Sequence, residues 1–315
     1  MLKNFLFILL FFSSTSFAQS SKDYKAVDDY VKSLGSMDTL NMGTISASLT
    51  QNFPDKLNQT RAIFDWIANN ISFDCKNARK GDNDKINSDD ILKTRLATSS
   101  GYAALFQDMC SAAGIRCLTV DGFYKTSADD INQPADEFNH TWDVVQLGES
   151  PDQWYYVDPT WGSGYTDKAM KIFTKSFNDA YFFADKATFN LLAFPDNIHW
   201  QLGAGPKSKK DFYAEPVVKN DAFEFNVTGF DPTTGYIKIK AGKSEKFIIN
   251  AGNTGTVSTV AIGWGDDRKR QVKQVNFSAT GGTISFSYTF DNEDTYPVAI
   301  LVNGKEVLNY MIEVD

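Results

Sequence analysis

Three side chains in this sequence have types and spacing suited to chemistry: Ser99, His140 and Asp158. His140 opens the apolar run "HTWDVVQL" and Asp158 closes "QWYYVD", with the turn-rich "GESP" between them. The midpoint of positions 140 and 158 falls in that turn. A symmetric hairpin therefore sets the two residues opposite each other, to within a residue of register, and cross-strand neighbours lie about 5 Å apart at Cβ. An aspartate beside a histidine fixes the ring tautomer and stabilises the imidazolium, which acid–base work requires. The same pair also suits a rim histidine in an ordinary hydrogen bond. Ser99 lies in "TRLATSSGYAALFQDMCSAAGI", residues 94–115, where a tight loop passes into a helix. Backbone N–H groups and the dipole at a helix start favour a negative atom, and a cysteine placed there would be drawn toward the thiolate. A serine there also serves as a plain helix cap. Gly101, two residues on, leaves room for close approach of another segment.

These residues need elements to position them. In "KDYKAVDDYVKSLG" Tyr24, Val27, Tyr30 and Val31 recur at helical intervals up to Gly35, and in "LNQTRAIFDWIANNI" Ile63, Trp66 and Ile67 share a face. "NSDDILKTR" reads as a short helix capped by Asn87 or Ser88. After Ser99, the residues Tyr102, Leu105, Phe106 and Met109 form one helical stripe that Gly114 ends. From Ile115 the period changes, and "IRCLTVDGFY", "HTWDVVQL" and "QWYYVD" read as strands. Residues 169–183 read as partly helical and "FPDNIHWQL" as irregular. Helices followed by an antiparallel sheet make an α+β pattern. Beyond about Glu215 short alternating runs take over: "FEFNV", "YIKIK", "KFIIN", "VAIGW", "TISFSYTF" and "PVAILV". Asn303-Gly304 suits a type I′ hairpin turn. The expected organisation is a leader over 1–18, an α+β domain over 19–215 and a β-sandwich over 216–315, with a protease-accessible junction near "GAGPKSKKD". The sandwich is immunoglobulin-like only in architecture, since no Cys–Trp–Cys framework is present.

Composition narrows the partners. A net charge of −8 lacks the basic footprint that nucleic acid or an anionic membrane demands. Lys3, the apolar "FLFILLFF" and the small residues of "SSTSFAQ" have the three-part layout of a signal peptide, with cleavage before Gln19. That run is far short of the roughly 20 residues needed to span a bilayer. The expectation is an exported protein, periplasmic or extracellular and not membrane-spanning. No cofactor and no metal are expected: His140 and His199 are the two histidines, and no His/Cys group has zinc spacing. "DNDKIN" from Asp82 lacks the glycine and closing glutamate of a calcium loop. Of the three cysteines, Cys110 and Cys117 can pair if their Cα atoms lie within about 7 Å. Three buried thiols are the simpler reading, and we favour it.

Several segments together resemble the transglutaminase-like superfamily, and within it the bacterial proteins related to kyphoscoliosis peptidase. They are "RAIFDWIANNISFD", "TRLATSSGYAALF", "GIRCLTVDGFY", "NHTWDVVQL", "WYYVDPTWGSGY" and "FPDNIHWQL", spanning residues 55–205 or so in the family's order. The resemblance implies a papain-like core, with a nucleophile at a helix N-terminus facing a histidine and an aspartate on an antiparallel sheet. It implies that Ser99, His140 and Asp158 occupy the Cys, His and Asp positions. The family's Gly-x-Cys-x-Gly-Tyr-Ala frame reads Ala97-Thr98-Ser99-Ser100-Gly101-Tyr102-Ala103 here, so both the glycine and the cysteine differ. A serine hydroxyl is too weakly acidic to form the thiolate–imidazolium pair such sites use. Two expectations follow. One is a degenerate cleft that binds a polypeptide segment or protein, with Trp142, Tyr156 and Trp161 as candidates for its aromatic walls, although most such aromatics are simply core. The other is a hydrolase or acyl-transferase working through a Ser99-His140-Asp158 triad.

Overall fold

The computed structural model describes residues 24–81, 87–148, 153–265 and 270–315. The expected leader and most of "DNDKIN" lie outside the described residues. Helix Lys25–Leu34 buries Val27 and Val31 and ends at Gly35, whose φ of 66° suits a residue without Cβ. Helix Lys56–Asn70 is capped by Asp55, and Ile63, Trp66 and Ile67 are buried as their spacing predicts. It also buries Arg61 and Asp65. Helix Met42–Thr50, within a stretch whose pattern reads as helical, turns Ile45 and Leu49 inward. Asn87 caps Ser88–Thr94. The central helix, Ser99–Ala112, buries Tyr102, Leu105, Phe106 and Met109.

The central helix packs on a four-stranded antiparallel sheet in the order Trp154–Val157, His140–Gln146, Arg116–Tyr124, Ala193–Pro195. Helix Lys186–Leu192 covers the opposite face, its Phe189 ring meeting Trp142 and Tyr156. Residues 140–145 are consequently buried without alternation. Residues 169–183 depart from expectation. They form a short strand, Phe173–Lys175, and a 3-10 turn, Asp179–Tyr181.

The chain after Glu215 is strand-rich. One sheet runs Val227–Asp231, Lys243–Ala251, Thr283–Phe290, Phe277–Thr280. A second runs Tyr236–Ile239, Lys305–Val314, Asp294–Val302, Val260–Trp264, Gln271–Gln274. Phe247 of the first and Tyr310 of the second meet at 5.3 Å between ring centroids. Asn303 and Gly304 both have positive φ, as a type I′ turn requires. "FEFNV" is not a strand: Asn220–Phe225 is a 3-10 helix, and Asn226, in the left-handed region, breaks the extension. Its alternation reflects burial of Phe223 and Phe225 instead.

The passage between the two parts begins exposed at Gly203–Gly205 and then buries Phe212, Tyr213, Pro216, Val217 and Val218. Val217 and Val218 pair with Asn309 and Leu308 of the last strand. Lys125 fastens this stretch. Its buried ammonium donates to the carbonyls of Phe212 at 2.5 Å, Glu215 at 2.7 Å and Pro216 at 2.9 Å. Burial pushes that ammonium down to about 7.

Candidate active site

His140 Nε2 donates to Asp158 Oδ2 at 2.5 Å, and both side chains are buried. The pairing is diagonal rather than directly opposite. Asp143 faces Val157 and Val144 faces Tyr156, so the register places position 158 across from Trp142. His140 and Trp142 share a face, being two residues apart on a strand, and a histidine is long enough to reach the diagonal neighbour. The hairpin midpoint therefore lies one residue further along than a symmetric turn predicts.

The "DPTWGS" segment explains itself residue by residue. Asp158 caps the short helix Pro159–Ser163, its Oδ1 accepting the Trp161 N–H at 2.9 Å while Oδ2 holds His140. Pro159 stands at the first helical position, where a missing N–H costs nothing. Gly162 packs so close to Phe64 that an added Cβ would lie 2.5 Å from the ring. Ser163 Oγ donates to Tyr102 Oη at 3.0 Å, and that hydroxyl donates to the Ile71 carbonyl at 2.7 Å. One buried hydrogen-bond chain thus ties the aspartate's helix to the central helix.

Ser99 is the first residue of the central helix, and Thr98 is its cap residue. The capping role open to serine is therefore not taken by Ser99. Its side chain is nearly buried at the helix N-terminus. Ser100 Oγ and Thr141 Oγ1 lie 3.1 Å apart, and Thr141 donates to Asp121 Oδ1 at 2.9 Å. Since the Thr141 proton goes to Asp121, Ser100 is the donor to Thr141. This bond joins the residues that immediately follow Ser99 and His140.

The three expected wall residues separate. Trp142 and Tyr156 are fully buried. Tyr156 Oη donates to Asn190 Oδ1 at 2.7 Å and accepts the Leu202 N–H at 2.6 Å. The sheet is covered on both faces, and both residues take the core alternative that the sequence left open. Trp161 alone keeps a partly exposed edge, and its ring lies on the His140 imidazole, centroids 4.1 Å apart and planes 15° apart. Sequence reasoning missed two further neighbours. Tyr124 meets both the His140 and Trp161 rings edge-on at 5.7 Å. Tyr181 lies 5.5 Å from Trp161, and its backbone carbonyl accepts the Asp158 N–H. Only the strand end and the aromatic richness around these positions could have signalled them.

Cys75, Cys110 and Cys117 are free and buried. Cys117 Sγ approaches Asp143 Oδ1 at 3.6 Å. Burial, followed by the Cys117 contact, pushes the Asp143 carboxyl well above the usual carboxylate range. Among the described residues no group of three or more His, Cys, Asp or Glu could hold a metal ion, and no helix is long and apolar enough to cross a membrane.

Comparison with known proteins places this geometry. Residues 43–159 match the family model described as the transglutaminase-like superfamily. The chain is 34% identical to mouse (Mus musculus) kyphoscoliosis peptidase over 204 residues, 64% of this chain and 30% of that protein. It is 35% identical to the human (Homo sapiens) protein of the same name over 199 residues, 63% of this chain and 30% of that one. A LIM and transglutaminase domain protein, ltd-1 of Caenorhabditis elegans, is 28% identical over 192 residues, 54% of this chain and 24% of the relative. The chain thus spans less than a third of the length of the curated relatives it matches. Residues 43–159, which include Ser99, His140 and Asp158, form a transglutaminase-like superfamily domain.

Proposed function

We propose that this chain is an exported transglutaminase-like protein whose cleft holds a polypeptide segment without cleaving it. The observation that carries this reading is the His140–Asp158 pair, kept at 2.5 Å on a strand that the Ser100–Thr141 contact ties to the helix start at Ser99, a hydroxyl and not a thiol. In a cysteine site the imidazole draws the proton from sulfur before substrate arrives, and a serine hydroxyl does not yield it. What remains is a polar cradle: helix-start N–H groups, the histidine ring and the partly exposed Trp161 edge. Such groups can bind a main chain, and loss of the activated nucleophile typically lowers turnover by several orders of magnitude.

The test compares the natural chain with Ser99→Cys, Ser99→Ala and His140→Ala in amine incorporation and peptide hydrolysis. The natural chain should be silent and Ser99→Cys active. The intact histidine–aspartate pair favours one second reading, a serine triad, with His140 Nδ1 as base toward Ser99. Turnover by the natural chain that vanishes in both alanine variants would establish it and remove the first. Binding is measured separately, with a reduced and alkylated casein fragment as the polypeptide probe. Trp161→Ala should weaken capture, and unchanged capture would exclude the cleft. Export is tested by sequencing the N-terminus of secreted material, which should begin near Gln19.

A further inference from the structure

We propose that the C-terminal region positions the candidate active site through an aromatic relay, with Phe223 and Tyr181 as positioning residues that hold Trp161 against His140. Phe223 belongs to the 3-10 helix Asn220–Phe225 beyond the seam. Its ring meets Tyr181 edge-on, centroids 5.1 Å apart and planes 75° apart. Tyr181 is fully buried and its ring is 5.5 Å from Trp161, which stacks on His140 at 4.1 Å. Four rings therefore run without interruption from the strand-rich region to the imidazole.

The contacts are of the kind that fix orientation. Edge-to-face and offset aromatic pairs contribute about 0.5–1.5 kcal/mol beyond area burial, and they do so only at particular angles. Trp161 has freedom to lose, since one edge of it is exposed and its own backbone sits in a helix of five residues. Its indole is held from behind by Tyr181 and from the side by Tyr124. The Tyr181 side chain has no polar tether: its hydroxyl is buried and has no hydrogen-bond partner among the described residues. The ring's place is therefore set by packing, and Phe223 supplies the part of that packing that comes from the C-terminal side. The seam keeps Phe223 there, through the Val217–Val218 pairing and the Lys125 clamp.

The inference rests on reading His140 as the group the site presents, but its readout does not require that the cleft bind anything. The chain has two histidines, and His199 is exposed, so the imidazole region of an NMR spectrum contains one reporter and one internal reference. Protons over an indole face are shielded. Phe223→Leu should move the His140 ring resonances downfield, toward the His199 positions, and leave His199 where it was. Tyr181→Phe keeps the ring and should leave both signals unmoved. Phe247→Leu, a comparable loss deep in the C-terminal sheet, should also leave them unmoved. A folded Phe223→Leu protein with unshifted His140 signals would overturn the proposal, as would an equal shift in Phe247→Leu, which would mean general loosening. If Phe223→Leu does not fold, Phe223→Met preserves volume without a ring and is judged by the same criterion. Lost casein capture with an unshifted His140 would count against this relay alone, whereas a shifted His140 with no capture by the natural chain would count against the binding reading alone.

Discussion

The two halves of the molecule treat polar groups in opposite ways. Among the described residues, every polar or charged side chain classed as buried lies between Ser46 and Asn190, and the region after residue 215 has none. The first region encloses Arg61, Asp65, Lys125, His140, Asp143 and Asp158, each of which costs free energy to remove from water unless paired. The second closes its two sheets with Phe247, Ile249, Ile284, Ile300, Tyr310 and Ile312 and keeps its charged side chains, among the described residues, at least partly exposed. A core that needs only stability is built from apolar side chains. The price of the first region's polar interior is intelligible where those groups orient others, as Asp158 orients both His140 and the Trp161 helix.

The largest expected effect tests that contrast directly. Asp158→Ala removes a helix cap and leaves a buried imidazole N–H without its acceptor, so it should cost about 3–5 kcal/mol in denaturant unfolding. Asp294→Ala, at an exposed strand start in the second region, should stay within about 0.5 kcal/mol. Equal losses at the two aspartates would erase the distinction.

A pH series sharpens it further. Burial, with Asp28 adding like charge, pushes the Asp65 carboxyl up to about 7, although Arg61 and the Asn69 amide pull the other way. A raised carboxyl pKa means that the folded state keeps its proton longer than the unfolded chain. The associated stability is fully present below about pH 4 and is lost as pH rises through 7. Asp65→Asn retains an acceptor for Asn69 and lacks the titration, so its advantage over the natural chain should open between pH 4 and 8. Three pKa units correspond to roughly 4 kcal/mol, and we expect about 2–4 kcal/mol. Thermal unfolding at pH 4, 6 and 8 measures it; parallel curves for the two proteins would be the contrary result. At Glu313 of the second region the shift runs the other way, since hydrogen bonds from Lys238 and Tyr236 hold its half-buried carboxyl below the ordinary range.

How much of this the sequence revealed depended on how many faces of an element are buried. The central helix was legible because one stripe is buried and Gly114 ends it, and Asn303-Gly304 announced its turn by residue type alone. The histidine and aspartate were legible as a pair because strand ends fix them to within a residue or two. For Trp142 and Tyr156 the sequence left core and cleft wall both open. A strand covered on both faces loses the alternation that separates wall from interior, and residues 140–145 are all buried. Phe223 and Tyr181 carry no motif, and only the fold brings a residue after 215 to within reach of one at 181.

The smallest expected effect concerns Ala97, where the superfamily frame has glycine, and it tests whether position 97 matters to the activity proposed for Ser99→Cys. Ala97 is fully buried in a two-residue strand beside Phe73, and it is not among the residues with positive φ. Alanine therefore sits there without backbone strain. A Cβ built on Gly101 would come 3.1 Å from the Ala97 methyl and 3.3 Å from Ile91 Cδ1, so this methyl packs under the first turn of the central helix. It fills core space, and its removal should be felt as lost packing and added chain entropy, about 1–2 kcal/mol for Ala97→Gly. In a Ser99→Cys background the same change should alter amine incorporation by less than about threefold, since a scaffold methyl that leaves the reacting atoms in place contributes little to the barrier. Gly101→Ala alone should be destabilising by about 1–3 kcal/mol through overpacking. Combined with Ala97→Gly it should recover part of that loss, a non-additivity that a double-mutant cycle reads directly. A tenfold or larger gain in rate on introducing the glycine would show instead that position 97 shapes the nucleophile's approach.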